Sequence, residues 1–357
     1  MHIFVGLSGG VDSGVAAALL VEQGHRVQGV MLQTWAESGT GRGNLCCTPE
    51  AIDRARAVAD RLGIPFHLVD GRAPFHAAVV EPFIAEYAAA RTPNPCIACN
   101  REVRFGFLLD WVRRQGGEYL ATGHYARIRH QDGRFRLLRG LDPAKDQSYM
   151  LHALSQAQLR HALFPLGKLT KTDVRAIAHT WDMAVADQPD SQDVCFLADG
   201  DYRRFLAERA PEAVRPGPIV DAAGSVLGKH TGLVNYTIGQ RKGIGIPAPH
   251  PLYVLGMDPQ RNALVVGPAQ ALGRWECTAA PMHYIAGEAP RAPFRAEAKI
   301  RYRHRGVPVT ATPLPGGCLH VRFERPQRDV TPGQYLVLYQ GEDVLGGGAI
   351  RAPWDAP

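Results

Sequence analysis

The sequence predicts an α/β protein: an N-terminal parallel-sheet domain followed by two small, mostly-β domains. Three observations carry that expectation. In the first third of the chain, short apolar runs alternate with amphipathic stretches roughly every 25 to 30 residues, the mark of βαβ units. Beyond about residue 211 the helical period stops, and short strands separated by turn clusters replace it. The length of 357 residues is more than one typical core holds.

The elements follow in order. His2 to Leu7 is a short apolar strand, Ser8 to Asp12 a glycine-rich turn, and Ser13 to Gln23 a helix that Gly24 ends. Arg26 to Leu32 is a second strand. Glu37 to Asn44 is glycine-rich and polar, and its Gly39 to Gly43 stretch has the composition of a lid. Pro49 to Leu62 is an amphipathic helix stopped by Gly63, and Pro65 to Val69 a third strand. Further helices fit Phe75 to Ala90 and Val103 to Gln115, and Tyr119 to Thr122 is another buried strand. Pro211, Pro216 and Pro218 mark a linker. After it, DAAG, GKHTG, DPQRN, LPGG and PGQ are turn signals. Val254 to Val266 reads as a closing hairpin and Cys277 starts afresh. The expected domains are therefore residues 1–210, 211–275 and 276–357.

Composition excludes several classes. Hydrophobic residues make up 45% and charged residues 21%, ordinary for a soluble globular chain. The longest apolar run, Val15 to Val21, is far too short to span a bilayer. The start, MHIFVGLSGG, lacks a basic n-region and reads as a strand, so a cytoplasmic protein with no membrane partner is expected. Seven cysteines scattered over a long chain do not form a secreted disulfide framework. A net charge of +6 favours a polyanionic partner.

Two short segments carry chemistry. In 6-GLSGGVDS-13, a strand runs into a helix through paired glycines. Exposed N–H groups and the helix dipole there favour an anion, though the loop matches neither G-x-x-x-x-G-K-[ST] nor G-x-G-x-x-G. A tight βα turn capped by Asp12 or Ser13 is the alternative. In 94-NPCIACN-100, Cys96 and Cys99 stand in C-x-x-C spacing, which suits half a zinc site, a redox dithiol or part of an iron–sulfur site.

SGGVDS after the first strand resembles the loop of the PP-loop ATP pyrophosphatases, whose Rossmann-like domain splits ATP between the α and β phosphates. The likeness continues through GVMLQTW around Met31, 92-TPNP-95 before a cysteine, 121-ATGHY-125, 145-KDQSY-149, 191-SQDVCF-196, 236-YTIGQRKGIGI-246 and 300-IRYRH-304. In order and over nearly the whole chain, these segments resemble the bacterial tRNA-specific 2-thiouridylases (the MnmA family).

The resemblance implies ATP with Mg2+ held by Gly6, Leu7, Ser8, Gly9, Gly10, Val11, Asp12 and Ser13, with Met31 and Gly123 also at the nucleotide. His124, at a strand end, is either an ATP-site residue or a satisfied structural histidine. The resemblance implies tRNA contacts at Asn94, Pro95 and Cys96, at Lys145, Asp146 and Gln147, and at Arg301 and Tyr302. The last two lie in a cationic strand with Lys299, Arg303, His304 and Arg305. It implies Cys99 as nucleophile and Cys195 as persulfide carrier, closing a Cys99–Cys195 disulfide that a reductant reopens. The implied reaction adenylates the carbon-2 oxygen of the wobble uridine in tRNAs for Lys, Glu and Gln, and sulfur then displaces AMP. The sulfur comes from a persulfide donor, a cysteine desulfurase or a relay protein.

One position departs from the family. Its better-known members carry Asp three residues before the nucleophilic cysteine, where this chain has Cys96. Cys96, Cys99 and Cys195 could therefore ligate a 4Fe–4S cluster with one open iron, or Cys96 is a spare thiol beside a persulfide pair. A helix starting near Glu102 would favour a thiolate nearby. Cys46 and Cys47 read as packing near the ATP side, Cys277 and Cys318 as core. Two other functions fit parts of the sequence: adenylation of a small molecule by a PP-loop enzyme, and RNA binding by a non-catalytic module with a metal knuckle.

Overall fold

The computed structural model describes residues 1–35, 37, 48–186, 188, 194–197 and 199–352. Strands β1 (His2–Gly6), β2 (Arg26–Gln33), β3 (Phe66–Asp70), β4 (Tyr119–Ala121) and the short β7 (Ala162–Leu163) form a parallel sheet in the order β3–β2–β1–β4–β7. Residues of β1 are buried on both faces: Ile3 and Val5 look toward one core cluster, Phe4 toward another. That explains why the strand reads as a continuous apolar run rather than an alternating one.

Helix α1 (Val11–Glu22) is apolar almost all round because it is enclosed. It packs with α2 (Pro49–Arg61), and with α5 (Lys171–Thr180) through Val174 and Ala178. Thr48 caps α2 by accepting from the Ala51 N–H at 3.1 Å, with Pro49 in the first turn. Helix α3 covers residues 72–88 and includes a wider turn at His76–Val80. Helix α6 (Tyr202–Arg209) is capped by Asp201.

The helix expected to open at Val103 begins eight residues earlier. Residues 95–114 run as one helix, α4, through Pro95–Ala98, Cys99–Leu108 and Leu109–Arg114. Asn94 is its cap, accepting from the Cys96 N–H at 3.2 Å, and Pro95 fits the first turn. NPCIACN is thus a capped helix start and not a kinked loop.

The second half is all β. Strands β8 (Gly217–Val220), β9 (Val226–His230), β10 (Tyr253–Asp258) and β11 (Ala263–Gly267) form one sheet. A closed barrel follows from β12 (Arg274–Tyr284), β13 (Phe294–Lys299), β14 (Val307–Leu314), β15 (Cys318–Gln327), β16 (Tyr335–Gln340) and β17 (Asp343–Ile350). Pairing of β12 with both β15 and β17 closes it. The segment 300–304, expected as a cationic strand, is the turn joining β13 to β14. A hairpin of the first half, β5 (Ala126–Gln131) and β6 (Arg134–Arg139), joins this sheet beside β17, with Leu138 opposite Asp343. None of the described helices is long and apolar enough to cross a membrane.

Candidate active site

The loop after β1 is shaped by its glycines and serines. Gly9 has φ of +73°, and a Cβ there would lie 2.6 Å from the Ala51 carbonyl oxygen, so only glycine fits. Ser13 Oγ donates to the Gly10 carbonyl at 2.9 Å and accepts from the Ser8 N–H at 3.1 Å. Gly10 begins α1 without a side-chain cap. The first N–H groups of the helix are left for an anion, as the loop's composition predicts. Gly123 closes the other wall. A Cβ there would sit 2.8 Å from Asp12 C and 2.9 Å from Ser13 N, so the end of β4 abuts the loop. Its requirement is close approach, not a left-handed φ. Met31 is 2% exposed and belongs to the core.

Asp12 is the loop's acid. Its Oδ1 accepts from Tyr125 OH at 2.8 Å and from Lys171 Nζ at 2.7 Å. Sequence reasoning passed over Lys171. The signal for it is a conflict: in TKTD, Thr170 and Asp173 form a capping box, yet a lysine occupies the first helical position. A cation there opposes the helix dipole, so the ion pair with Asp12 compensates.

His124 is buried between Phe105 and Phe164. Thr122 Oγ1 lies 2.7 Å from its Nδ1 and Arg104 Nη1 lies 3.4 Å from its Nε2. A guanidinium only donates, so Nε2 accepts and Nδ1 carries the proton. Burial, reinforced by the Arg104 charge, holds the imidazole down to about 3. His152, also buried, is held down to about 4 by burial. Both stay neutral when folded, whereas the unfolded chain protonates them below about 6.5. The stability they contribute is complete above that value and is lost as pH falls toward their folded values. Urea unfolding at pH 7 and pH 5 checks this. The midpoint should fall at pH 5, and His152→Gln should reduce the fall; an equal fall in the variant would remove His152 from the account.

Cys96 is exposed at the start of α4, and Cys99 follows one turn on. Cys99 packs against the apolar cluster of Phe75, Phe83, Phe196 and Phe205, and so does Cys195. Phe196 is fully buried, edge-on to Phe83 at 5.2 Å and to Phe75 at 5.9 Å, which anchors the residue beside it. Cys99 and Cys195 therefore flank one cluster. Burial first, then the charges of Asp146 and Cys96, raise the Tyr302 phenol. Among the described residues, no group of three or more His, Cys, Asp or Glu side chains stands where it could hold a metal ion. Cys96, Cys99 and Cys195 are not gathered into such a group among the described residues. Gly39 to Gly43, Cys46, Cys47 and residues 189–193 lie outside the described residues. Cys277 packs against the barrel core.

The barrel grips the segment that enters α4. Thr92 N donates to the Pro332 carbonyl at 2.8 Å, and Gln334 Nε2 donates to the Thr92 carbonyl at 2.9 Å. The turn at 145–147 is tied down, with the Lys145 N–H donating to the Asp142 carbonyl at 3.1 Å. Buried Asp146 accepts from the N–H groups of Gly140 and Ser148, each at 3.0 Å, with Lys299 Nζ at 3.6 Å. Gln147 Oε1 accepts from the Tyr125 N–H at 3.0 Å. Lys145 is half-buried. Asn94 also donates to Met150 Sδ at 3.6 Å. Arg301 Nη1 is 3.9 Å from Asp329 Oδ2, and Tyr302 packs on Tyr149 at 6.1 Å.

Fold and site together define a PP-loop-like α/β protein, with a cysteine-bearing helix in the same domain as its glycine loop and a β-barrel gripping the segment that enters that helix. Comparison with known proteins agrees. Residues 1–199 match the family model described as tRNA methyl transferase HUP domain, 203–268 the tRNA methyl transferase PRC-barrel domain, and 274–350 the Aminomethyltransferase beta-barrel domain. The chain is 46% identical to the tRNA-specific 2-thiouridylase MnmA of Roseiflexus castenholzii, over 98% of each protein. It is 47% identical to that of Symbiobacterium thermophilum, over 98% of this chain and 92% of the relative. With that of Geobacter metallireducens, identity is 47% over 98% and 97%. The chain belongs to the tRNA-specific 2-thiouridylase (MnmA) family. Among solved structures, the U34-tRNA thiolase NcsA from Methanococcus maripaludis with its 4Fe–4S cluster is 20% identical. It superposes with a TM-score of 0.34, covering 58% of this chain and 66% of that one, and carries no argument about a cluster here.

Proposed function

We propose that the protein is a tRNA-uridine 2-sulfurtransferase that uses ATP to replace the carbon-2 oxygen of a wobble uridine with sulfur. The observation that carries this reading is the likeness over 98% of this chain to relatives named 2-thiouridylases. The placement of a nucleotide loop and a cysteine pair in one domain supports it.

The ATP phosphates rest on the N–H groups at the start of α1. Mg2+, when bound with ATP, would supply charge neutralisation for the departing pyrophosphate. Asp12 would hold that ion, because among the described residues both of its hydrogen bonds fall on Oδ1 and leave Oδ2 open. The uridine oxygen attacks the α phosphate and pyrophosphate leaves, turning a poor leaving group into a good one. Cys195 carries the sulfane sulfur, which attacks carbon 2 and expels AMP. The Cys99 thiolate then attacks the Cys195 sulfur, breaks the S–S bond to the transferred atom and closes a Cys99–Cys195 disulfide. A reductant reopens it. The substrates are tRNAs for Lys, Glu and Gln, and the donor is a cysteine desulfurase or a relay protein.

The test is pyrophosphate release from ATP with and without unmodified tRNA. Release that requires tRNA supports the reading. Release that requires a small acceptor, with tRNA inert, would favour a small-molecule adenylating enzyme.

Arg301 and its neighbours in the β13–β14 turn supply phosphate contacts on this reading. Arg301→Ala should weaken tRNA binding and flatten its log–log salt dependence by up to about 0.7 to 0.9 units, one contact's worth. Titration of labelled tRNA across a salt series measures that slope. An unchanged slope would leave Arg301 as a partner of Asp329 alone.

A further inference from the structure

Arg104 is a cation whose described partners do not account for its charge. It leaves α4 five residues after Cys99, is half-buried, and reaches the end of β4. Its Nη1 donates to Asn100 Oδ1 at 3.2 Å and to His124 Nε2 at 3.4 Å. Both acceptors are neutral, and His124 is a base that this charge helps to keep unprotonated. Among the described residues no carboxylate pairs with Arg104, and neither Nε nor Nη2 donates to a described acceptor. A guanidinium withdrawn from water normally faces an anion. The two neutral bonds fix the direction of the fork and leave its remaining donors for one.

The place of the fork says which anion. His124 follows Gly123, whose Cα abuts the Asp12 and Ser13 backbone at the start of α1. Asn100, the other anchor, is buried and donates to the Met150 carbonyl at 3.3 Å, so the fork is held from both sides. Arg104 thus bridges the helix of the reactive cysteine and the strand end that backs the nucleotide loop. The loop's own cation, Lys171, is already engaged by Asp12.

We propose that Arg104 binds the α phosphate of the nucleotide, the group that stays with the substrate when pyrophosphate leaves and departs as AMP when sulfur attacks. The assignment rests on the sulfurtransferase reading for its chemistry. Its geometry needs only a nucleotide in the loop. The guanidinium stabilises charge on the phosphorus oxygens during adenylation and again on AMP as it leaves. Because its helix also bears Cys99, the same side chain holds the phosphate at a fixed distance from the sulfur chemistry.

The test compares binding of AMP and adenosine to the full chain by calorimetry, in the wild type, Arg104→Met and Arg104→Lys. Loss of a charge-assisted contact should weaken AMP about 10- to 100-fold in Arg104→Met. Arg104→Lys should recover part of that, and adenosine affinity should stay within about twofold in both. AMP binding needs no tRNA, so a protein that fails to release pyrophosphate with tRNA would refute the proposed function and leave this comparison standing. Equal weakening of AMP and adenosine would show that Arg104 only braces His124 and Asn100, and would overturn the proposal. Unchanged AMP affinity with weaker, less salt-dependent tRNA binding would overturn it too, by assigning Arg104 to the RNA backbone. If Arg104→Met does not fold, Arg104→Lys alone decides: AMP weakened with adenosine unchanged supports the proposal, and no difference between the two ligands sinks it.

Discussion

Cys195→Ala and Cys99→Ala should each reduce 2-thiouridine formation to below about a thousandth of the wild-type rate, since each removes a covalent partner and not merely a binding contact. They should fail at different points. Without Cys195 there is no sulfur carrier, and adenylated tRNA accumulates or hydrolyses. Without Cys99 the transferred sulfur stays joined to Cys195, leaving the tRNA bound to the enzyme through a linkage that thiol reductants cut. A denaturing gel with labelled tRNA distinguishes the two. Both cysteines pack on the cluster around Phe196. Cys96 is exposed, and the proposed exchange assigns it no step. Cys96→Ala should retain thiolation within about tenfold. If Cys96→Ala were as inactive as the others and the wild type carried iron, the persulfide pair would be wrong. If Cys99→Ala and Cys195→Ala both thiolated normally, the C-x-x-C would be structural.

Asp12→Ala should lower tRNA-dependent pyrophosphate release by about 100-fold or more while tRNA affinity is unchanged. The carboxylate gathers Tyr125 OH and Lys171 Nζ at the loop, and Tyr125 is in turn fixed by Gln147. Its removal takes from Lys171 an ion pair that offsets the unfavourable helix dipole at that position. Filter binding of tRNA and a pyrophosphate assay on one preparation separate grip from chemistry. Full turnover in the variant would remove Asp12 from the site.

Much of this was legible in the sequence because local pattern and global fold agree. The βα units of the first domain have enclosed strands and helices with clear starts and stops, and glycine needs at Gly9 appear directly as SGG. The β5–β6 hairpin escaped notice because ARIRHQDGRFRLLR is basic, and its Leu137 and Leu138 are buried only once the hairpin joins the barrel. Its turn did leave a mark: Asp132 and Gly133 both have positive φ, the D-G hairpin signature. The true start of α4 was masked by a C-x-x-C that invites a metal or redox reading, although Asn-Pro is an ordinary cap. Arg104 was not legible, and Lys171 left only the mark of a cation at a helix start. Their roles depend on His124 and Asp12, distant in sequence and brought near only by the sheet.

The most direct measurement is mass analysis of nucleosides from tRNA transcripts for Lys, Glu and Gln, after incubation with the protein, ATP, Mg2+ and a persulfide donor. The account predicts that one oxygen at carbon 2 of the wobble uridine is replaced by sulfur, in step with the AMP formed. AMP formation that ignores tRNA, with every uridine left unchanged, would contradict it.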